Sequence, residues 1–191
     1  MSKVVIQGNA SGTGNFTIAA PNSNTDRTFN LPDAAGTVLT TGNQSDFPAG
    51  SVLQVKHFQY AGGQEVFTSA TFTDSAYVTT TFTPTTATSK VFLIGDFSIM
   101  SYVQPGSGAE STYRISRDSE TATSTFSNQY AYDYGGSGII VTTNLVHTWL
   151  DSPATTSAVT YTLQVRHDAG NQTRLNYTGG TSRLTMFEVA A

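Results

Sequence analysis

"KVFLIGDFSIM", residues Lys90 to Met100, is the stretch on which the fold turns. Val91, Leu93, Phe97 and Ile99 share one parity, while Phe92, Ile94 and Met100 occupy the other. Apolar groups on both faces at period two describe a strand covered above and below, and therefore a central one. The flanking runs repeat the pattern with one wet face. "AVTYTLQVRHD" (Ala158 to Asp168) sets Val159, Tyr161, Leu163 and Val165 inward against Thr160, Thr162, Gln164 and Arg166. "STYRISRD" alternates Tyr113 and Ile115 with Arg114 and Ser116. In "GIIVTTNLVHTWLDSP" (Gly138 to Pro153), Ile139, Val141, Leu145 and Trp149 share a parity with Thr143 and His147. "SVLQVKHFQY", "YVTTTFTP" and "SRLTMFEVAA" add further strands, the last with Leu184 and Met186 opposite Phe187 and Val189. Seven to nine strands separated by turn signals predict an all-β domain, an antiparallel β-sandwich of jelly-roll type.

Composition agrees. The chain is 191 residues long, enough for one main domain with a buried core. Thr, Val, Phe and Tyr suit a pleated surface, and no window shows helical periodicity. The net charge is −4, and Lys3, Lys56 and Lys90 are the only lysines, so no basic patch follows a phosphate backbone and nucleic acid is excluded as a partner. No apolar run approaches the roughly 20 residues that cross a bilayer, and Met1-Ser2-Lys3 precedes no signal-peptide core, so synthesis in the cytoplasm and no membrane insertion are expected. The absence of cysteine removes disulfides, thiolate metal sites and cysteine nucleophiles together.

Ahead of the sandwich the pattern changes. Short apolar pieces, Phe16/Ile18, Phe29/Leu31 and Val38 with Leu39, recur between Gly, Asn, Ser and Pro clusters, and Pro32-Asp33 reads as a turn. "GNQSDFPAG", Gly42 to Gly50, reads as a hinge, which divides the chain into an arm or stalk, 1–49, and a sandwich, 50–191. Strands so short have too little apolar face to offset their ordering entropy alone. The missing surface has to come from elsewhere.

The blocks "GTVLTTG", "PAGSVLQV", "TFTPTTATSKVFLIGDFSI", "YRISRD", "WLDSPATTSAVTYTLQVR" and "TSRLTMFEVAA", in that order, resemble a recurrent group of bacteriophage virion proteins of tail-fibre-like type, common among marine phages. The likeness runs from about Asn15 to Ala191. It implies a non-enzymatic structural role in the virion and supplies no catalytic residue, cofactor or metal ligand. Fibre chains of this kind pack short strands about a three-fold axis, which would complete the arm: Phe16, Ile18, Phe29, Leu31, Val38 and Leu39 become packing positions of a homotrimer. Each fully buried Leu, Ile or Phe contributes roughly 1.5–3 kcal/mol, so the shared core outweighs an ordered monomeric arm. The expected partners are other copies and other virion proteins of the tail, baseplate or capsid shell. A fibre- or spike-like appendage is the first reading. A capsid decoration protein held through the arm is the alternative, and a carbohydrate-binding adhesion module is a rival of another class.

Among individual residues, "NQYAYDYGGSG" (Asn128 to Gly138) places Tyr130, Tyr132 and Tyr134 on one parity with Asp133 between two of them. Exposed, these rings and the carboxylate suit stacking on and hydrogen bonding to a host surface glycan; turned inward, they pack a core or a subunit contact. His57, His147 and His167 have no metal-site spacing, and His147 shares a strand face with Trp149. Asp118 and Glu120 lie in a polar turn, where a glycosidase pair is a poor reading. Arg114, Arg117 and Arg166 are expected in rim or intersubunit ion pairs worth about 0–1 kcal/mol each.

Overall fold

The computed structural model of the chain describes residues 5, 7–15, 17–19, 22–28, 30, 35–36, 46–125, 127–169 and 172–191. It divides into two units, Met1–Thr37 and Val38–Ala191. The described residues of the first unit form no strand. Asn9 organises a turn there: its carbonyl accepts from the Gly12 amide at 3.1 Å and its side-chain oxygen from the Ser11 amide at 2.9 Å. Of the six arm positions, Ile18 is described and is exposed. Phe16, Phe29, Leu31, Val38 and Leu39 lie outside the described residues.

The second unit is an antiparallel β-sandwich. Its described strands are β1 (Val52–Tyr60), β2 (Glu65–Phe67), β3 (Thr73–Phe82), β4 (Lys90–Val103), β5 (Gly108–Arg117), β6 (Ala122–Thr123), β7 (Ser127–Tyr132), β8 (Ile139–Asp151), β9 (Val159–Ala169), β10 (Gln172–Leu175) and β11 (Ser182–Val189). In the first sheet β4 is central, as its sequence predicts. β8 lies along one side of it, β11 and then β10 along the other, with β1 outside β11 and β2 outside β10. The second sheet runs β3, β9, β5, with β7 and β6 sharing the far side of β5. No α-helix occurs among the described residues of this unit, and Tyr177–Gly179 is a short 3-10 turn.

The core is the layer between the sheets. Val91, Leu93, Phe97 and Ile99 of β4 and Leu184 and Met186 of β11 meet Tyr113 and Ile115 of β5 and Val159, Tyr161, Leu163 and Val165 of β9. Alternation alone predicts the inward parity of the β9 residues and groups Tyr113 with Ile115; for β4 and β11 it groups the residues of each face, and the structure determines which face is the core.

Alternation was less informative about polar positions. Thr162 and Gln164, on the outward parity of β9, are nonetheless buried. A polar layer covers them: Arg114 Nε donates to Gln164 Oε1 at 2.7 Å, Gln164 Nε2 donates to Asp74 Oδ1 at 2.6 Å, and the Thr79 and Thr162 hydroxyls meet at 2.9 Å. The Arg114 guanidinium lies 3.9 Å above the Phe72 ring centre, a cation over an aromatic face. Arg117 departs further from its expected rim position. Its Nη1 sits 2.6 Å from Asp151 Oδ2, with both side chains nearly enclosed, and the Tyr161 hydroxyl donates to the same oxygen at 2.8 Å. This is an interior ion pair within one chain. Arg114 and Arg166 also pair within the chain, with Glu120 and Asp168.

Asp118 and Glu120 are turn residues, as their polar context suggests. The Asp118 amide donates to Thr160 O at 2.8 Å and its carboxylate accepts from the Thr160 amide at 2.7 Å. That clamp holds Asp118, Ser119 and Glu120 at φ of 47°, 51° and 86°, a run of non-glycine residues in left-handed geometry.

Candidate functional site

Two surfaces of the sandwich carry side chains that the fold itself does not use. The first is the tyrosine hairpin after β7. Gly108 pairs with Tyr132 and Glu110 with Tyr130, which sets both tyrosines on the outer face of the second sheet beside Glu110 and Thr112. Tyr130, Tyr132 and Tyr134 are 63%, 39% and 92% exposed, so they do not face the core. Tyr132 and Tyr134 lean together with ring centres 4.5 Å apart at 46°, and the Tyr132 hydroxyl donates to Gly106 O at 3.2 Å.

Asp133 does a different job from its neighbours. It is buried, its amide donates to Ser107 O at 3.0 Å, and its carboxylate accepts from the Gly135 and Gly138 amides, both at 2.8 Å. The Gly138 amide, ahead of the opposing effect of burial and with help from Gly135, holds this carboxyl below the usual carboxylate range. Gly138 has a φ of 73°, and a Cβ there would sit 3.1 Å from the Tyr102 hydroxyl, so this turn needs glycine. Asp133 thus shapes the hairpin that displays the rings and turns its own carboxylate away from solvent.

The second surface is the outer face of the first sheet. Leu150 pairs with Phe92, Phe92 with Phe187, and Phe187 with Val55, which forms one apolar row across β8, β4, β11 and β1. Leu150 is 54% and Val55 56% exposed, and the two phenylalanines between them are half-buried with ring centres 6.4 Å apart. Val52, Val189 and Val146 extend the patch, and the Asp96–Arg183 ion pair borders it at 3.1 Å. The sequence places Phe92, Ile94 and Met100 on the second face of β4, and Phe187 and Val189 on one face of β11. Met100 is buried there, but among the described residues no layer covers Phe92, Ile94, Phe187 and Val189, which are half-buried. Central position came from flanking strands, and a parity pattern cannot distinguish that from a covering layer.

The remaining candidates are structural. His147 is buried, with Nε2 2.8 Å from Ser124 Oγ and Nδ1 3.1 Å from Ser127 Oγ, and burial lowers its pKa. His167 Nδ1 meets Thr173 Oγ1 at 3.0 Å, and His57 Nδ1 meets Thr185 Oγ1 at 2.9 Å. Among the described residues no group of three or more His, Cys, Asp or Glu is placed to hold a metal ion.

No family model and no curated protein matches this sequence. Among solved structures, the chain is similar to the tripod from the baseplate of bacteriophage Tuc2009, at 16% identity and a TM-score of 0.36 over 94% of this chain and 82% of that one. It is also similar to VP2 of infectious bursal disease virus: to a mutant in derived particles at 10% identity and a TM-score of 0.33, and to the subviral particle at 11% and 0.32. These alignments cover 81% and 84% of this chain but 41% and 46% of VP2, less than half of it.

Proposed function

We propose that this chain is a non-enzymatic structural protein of a bacteriophage virion, a homotrimeric fibre- or spike-like appendage with the sandwich displayed and the arm, 1–49, used for assembly. The observation that carries the reading is the uncovered row Leu150, Phe92, Phe187, Val55. A contiguous apolar patch on an otherwise wet surface marks a contact with another protein, because removing it from water contributes about 25 cal/mol per Å². The order of sequence blocks shared with tail-fibre-like virion proteins supplies the kind of particle. Function then resides in stiffness, in apolar seating against a neighbour, and in repeated copies acting together.

Imaging of purified particles at side-chain detail tests this. The expected map shows three copies clustered at the tail, baseplate or shell, with the Phe92/Phe187 row against a neighbouring chain. Particles that lack the chain overturn the proposal.

The exposed tyrosines favour a second reading, adhesion to a host surface carbohydrate, since rings 4.5 Å apart offer faces on which a sugar can stack. Tyr132→Ala and Tyr134→Ala then lower binding to host cells or isolated glycan with oligomeric mass unchanged. A change of mass instead assigns the rings to subunit packing.

A further inference from the structure

Strand β8 is an outer strand of its sheet: among the described residues it pairs with β4 alone, along Ile139–Asp151. The N–H and C=O groups of alternate residues on its free side form a template for another strand. Protected edges are short, bulged, charged or broken by proline. β8 is none of these: it has 13 residues, its register with β4 shows no bulge, and no Lys, Arg, Asp, Glu or Pro occurs from Gly138 to Leu150. Among the described residues, Val141, Leu145 and Trp149 on the inward parity stay only half-buried, whereas His147 and Asp151 on the same parity are buried.

We infer that β8 pairs antiparallel with β8 of a second copy, across a two-fold axis through Leu145. A two-fold axis normal to the sheet keeps both cores on one side only where opposed residues share a parity. Centred on Leu145, Ile140 faces Leu150, Val141 faces Trp149, Thr142 faces Thr148 and Leu145 faces itself. Apolar–apolar and Thr–Thr oppositions of this kind stabilise antiparallel pairs. The remaining pairs are Thr143 with His147, both polar, and the mixed pairs Asn144 with Val146 and Ile139 with Asp151. Centring on Asn144 instead opposes Val141 to His147 and Thr142 to Val146; centring on Val146 opposes Thr142 to Leu150 and Val141 to Asp151. Leu145 gives the best-matched register of the three.

The area suffices. At about 3.4 Å per residue β8 is about 44 Å long, and a flank about 15 Å wide gives roughly 650 Å² per copy, or 1,300 Å² in total, within the range of specific interfaces. The run Gly138–Leu150 carries no charge, and Asp151 at the end of β8 is paired with Arg117 in its own chain, so two copies of net charge −4 approach without unpaired like charges at the contact. This pairing uses a segment separate from the arm and is independent of the proposed trimer; where both hold, β8 joins one trimer to the next.

The chain has no cysteine, so introduced thiols report the register unambiguously. In Thr142→Cys/Thr148→Cys, opposed residues lie about 4.5–5.5 Å apart at Cα, within disulfide reach. Mild oxidation of the full-length double variant is expected to give a covalent dimer on a non-reducing gel. Neither single variant should do so, since each thiol then sits six residues, about 20 Å, from its own copy. Val146→Lys, at a position 66% exposed in the single chain, should halve the light-scattering mass of the assembly. The inference is overturned if the double variant fails to cross-link, if the single variants cross-link equally, or if Val146→Lys leaves the mass unchanged. A three-copy mass that Val146→Lys does not alter overturns the β8 pairing and leaves the arm-based trimer standing.

Discussion

Replacing Glu188 with Gln isolates the interaction that ties the β3–β4 connection to the sheet. Glu188 lies on the inward parity of β11 with Leu184 and Met186, and is 0% exposed. Its Oε1 accepts from the Thr85 amide at 2.7 Å, the Thr85 hydroxyl at 2.9 Å, the Thr86 amide at 3.2 Å and the Ser89 hydroxyl at 2.5 Å. Its Oε2 accepts from Gln54 Nε2 at 2.6 Å. Burial pushes the carboxyl up, but hydrogen bonds from Ser89, Gln54 and Thr85 outweigh burial and hold it below the usual carboxylate range. In the Gln variant one oxygen keeps its donors without ionic assistance, and the new amide opposes the Gln54 amide, so that bond is lost. A bond to an ionised group is worth about 1.5–3 kcal/mol and a neutral one about 0.5–1.5. Relief from burying a charge returns several kcal/mol of the roughly 5–7 removed, leaving a net loss of about 2–4 kcal/mol. For a chain of this size that lowers Tm by about 4–16 °C. The pH sign follows from the lowered pKa: the unfolded chain binds the proton more readily, so the stabilisation is complete above the unfolded value and is lost as pH falls through the folded one. Thermal unfolding followed by circular dichroism across the acid range should show the variant less stable at neutral pH and with a shallower acid limb. Equal Tm at neutral pH, or an acid limb of unchanged slope, refutes this account.

Arg117→Met leaves Asp151 buried beside Tyr161 without its cation and is expected to cost about 3–5 kcal/mol in urea unfolding, well above the cost of losing a surface pair. Asp133→Asn keeps one acceptor for two amides, so the Gly135 or Gly138 N–H should exchange faster with deuterium while β4 and β9 amides are unaffected. In the parent chain the same Gly amides should lose protection as pH falls through the lowered Asp133 pKa, and the Asn variant should not show that dependence.

The sandwich was legible because its core depends on period two. Strands such as β4 and β9 bury alternate residues over ten or more positions, and that pattern survives in sequence. Buried polar groups were not legible for the opposite reason. Glu188 is satisfied by Thr85, Thr86 and Ser89, about a hundred residues earlier, and Arg117 by Asp151 on another strand. Nothing local to either residue signals such a partner. The tyrosines fall between these cases: alternation placed Tyr130 and Tyr132 on one face, but only the pairing of β7 with β5 determines which face looks outward.

The two outer faces differ in a way that bears on orientation. Over the second sheet, Arg114, Gln164, Asp74 and Glu120 form a bonded polar layer, and Arg114 and Arg166 cover the Phe72 ring. That face tolerates water. Over the first sheet the Leu150 to Val55 row has no such cover, and with charged residues only 12% of the chain there is little charge elsewhere to wet it. The faces of a two-layer sandwich point in opposite directions. A copy seated on a neighbour through the first sheet therefore turns the second outward, and Tyr130 and Tyr132 lie on that second face. Under the proposed function, seating and display would then need no hinge: packing that covered Phe92 and Phe187 against a neighbour would by the same geometry aim Tyr130 and Tyr132 away from it.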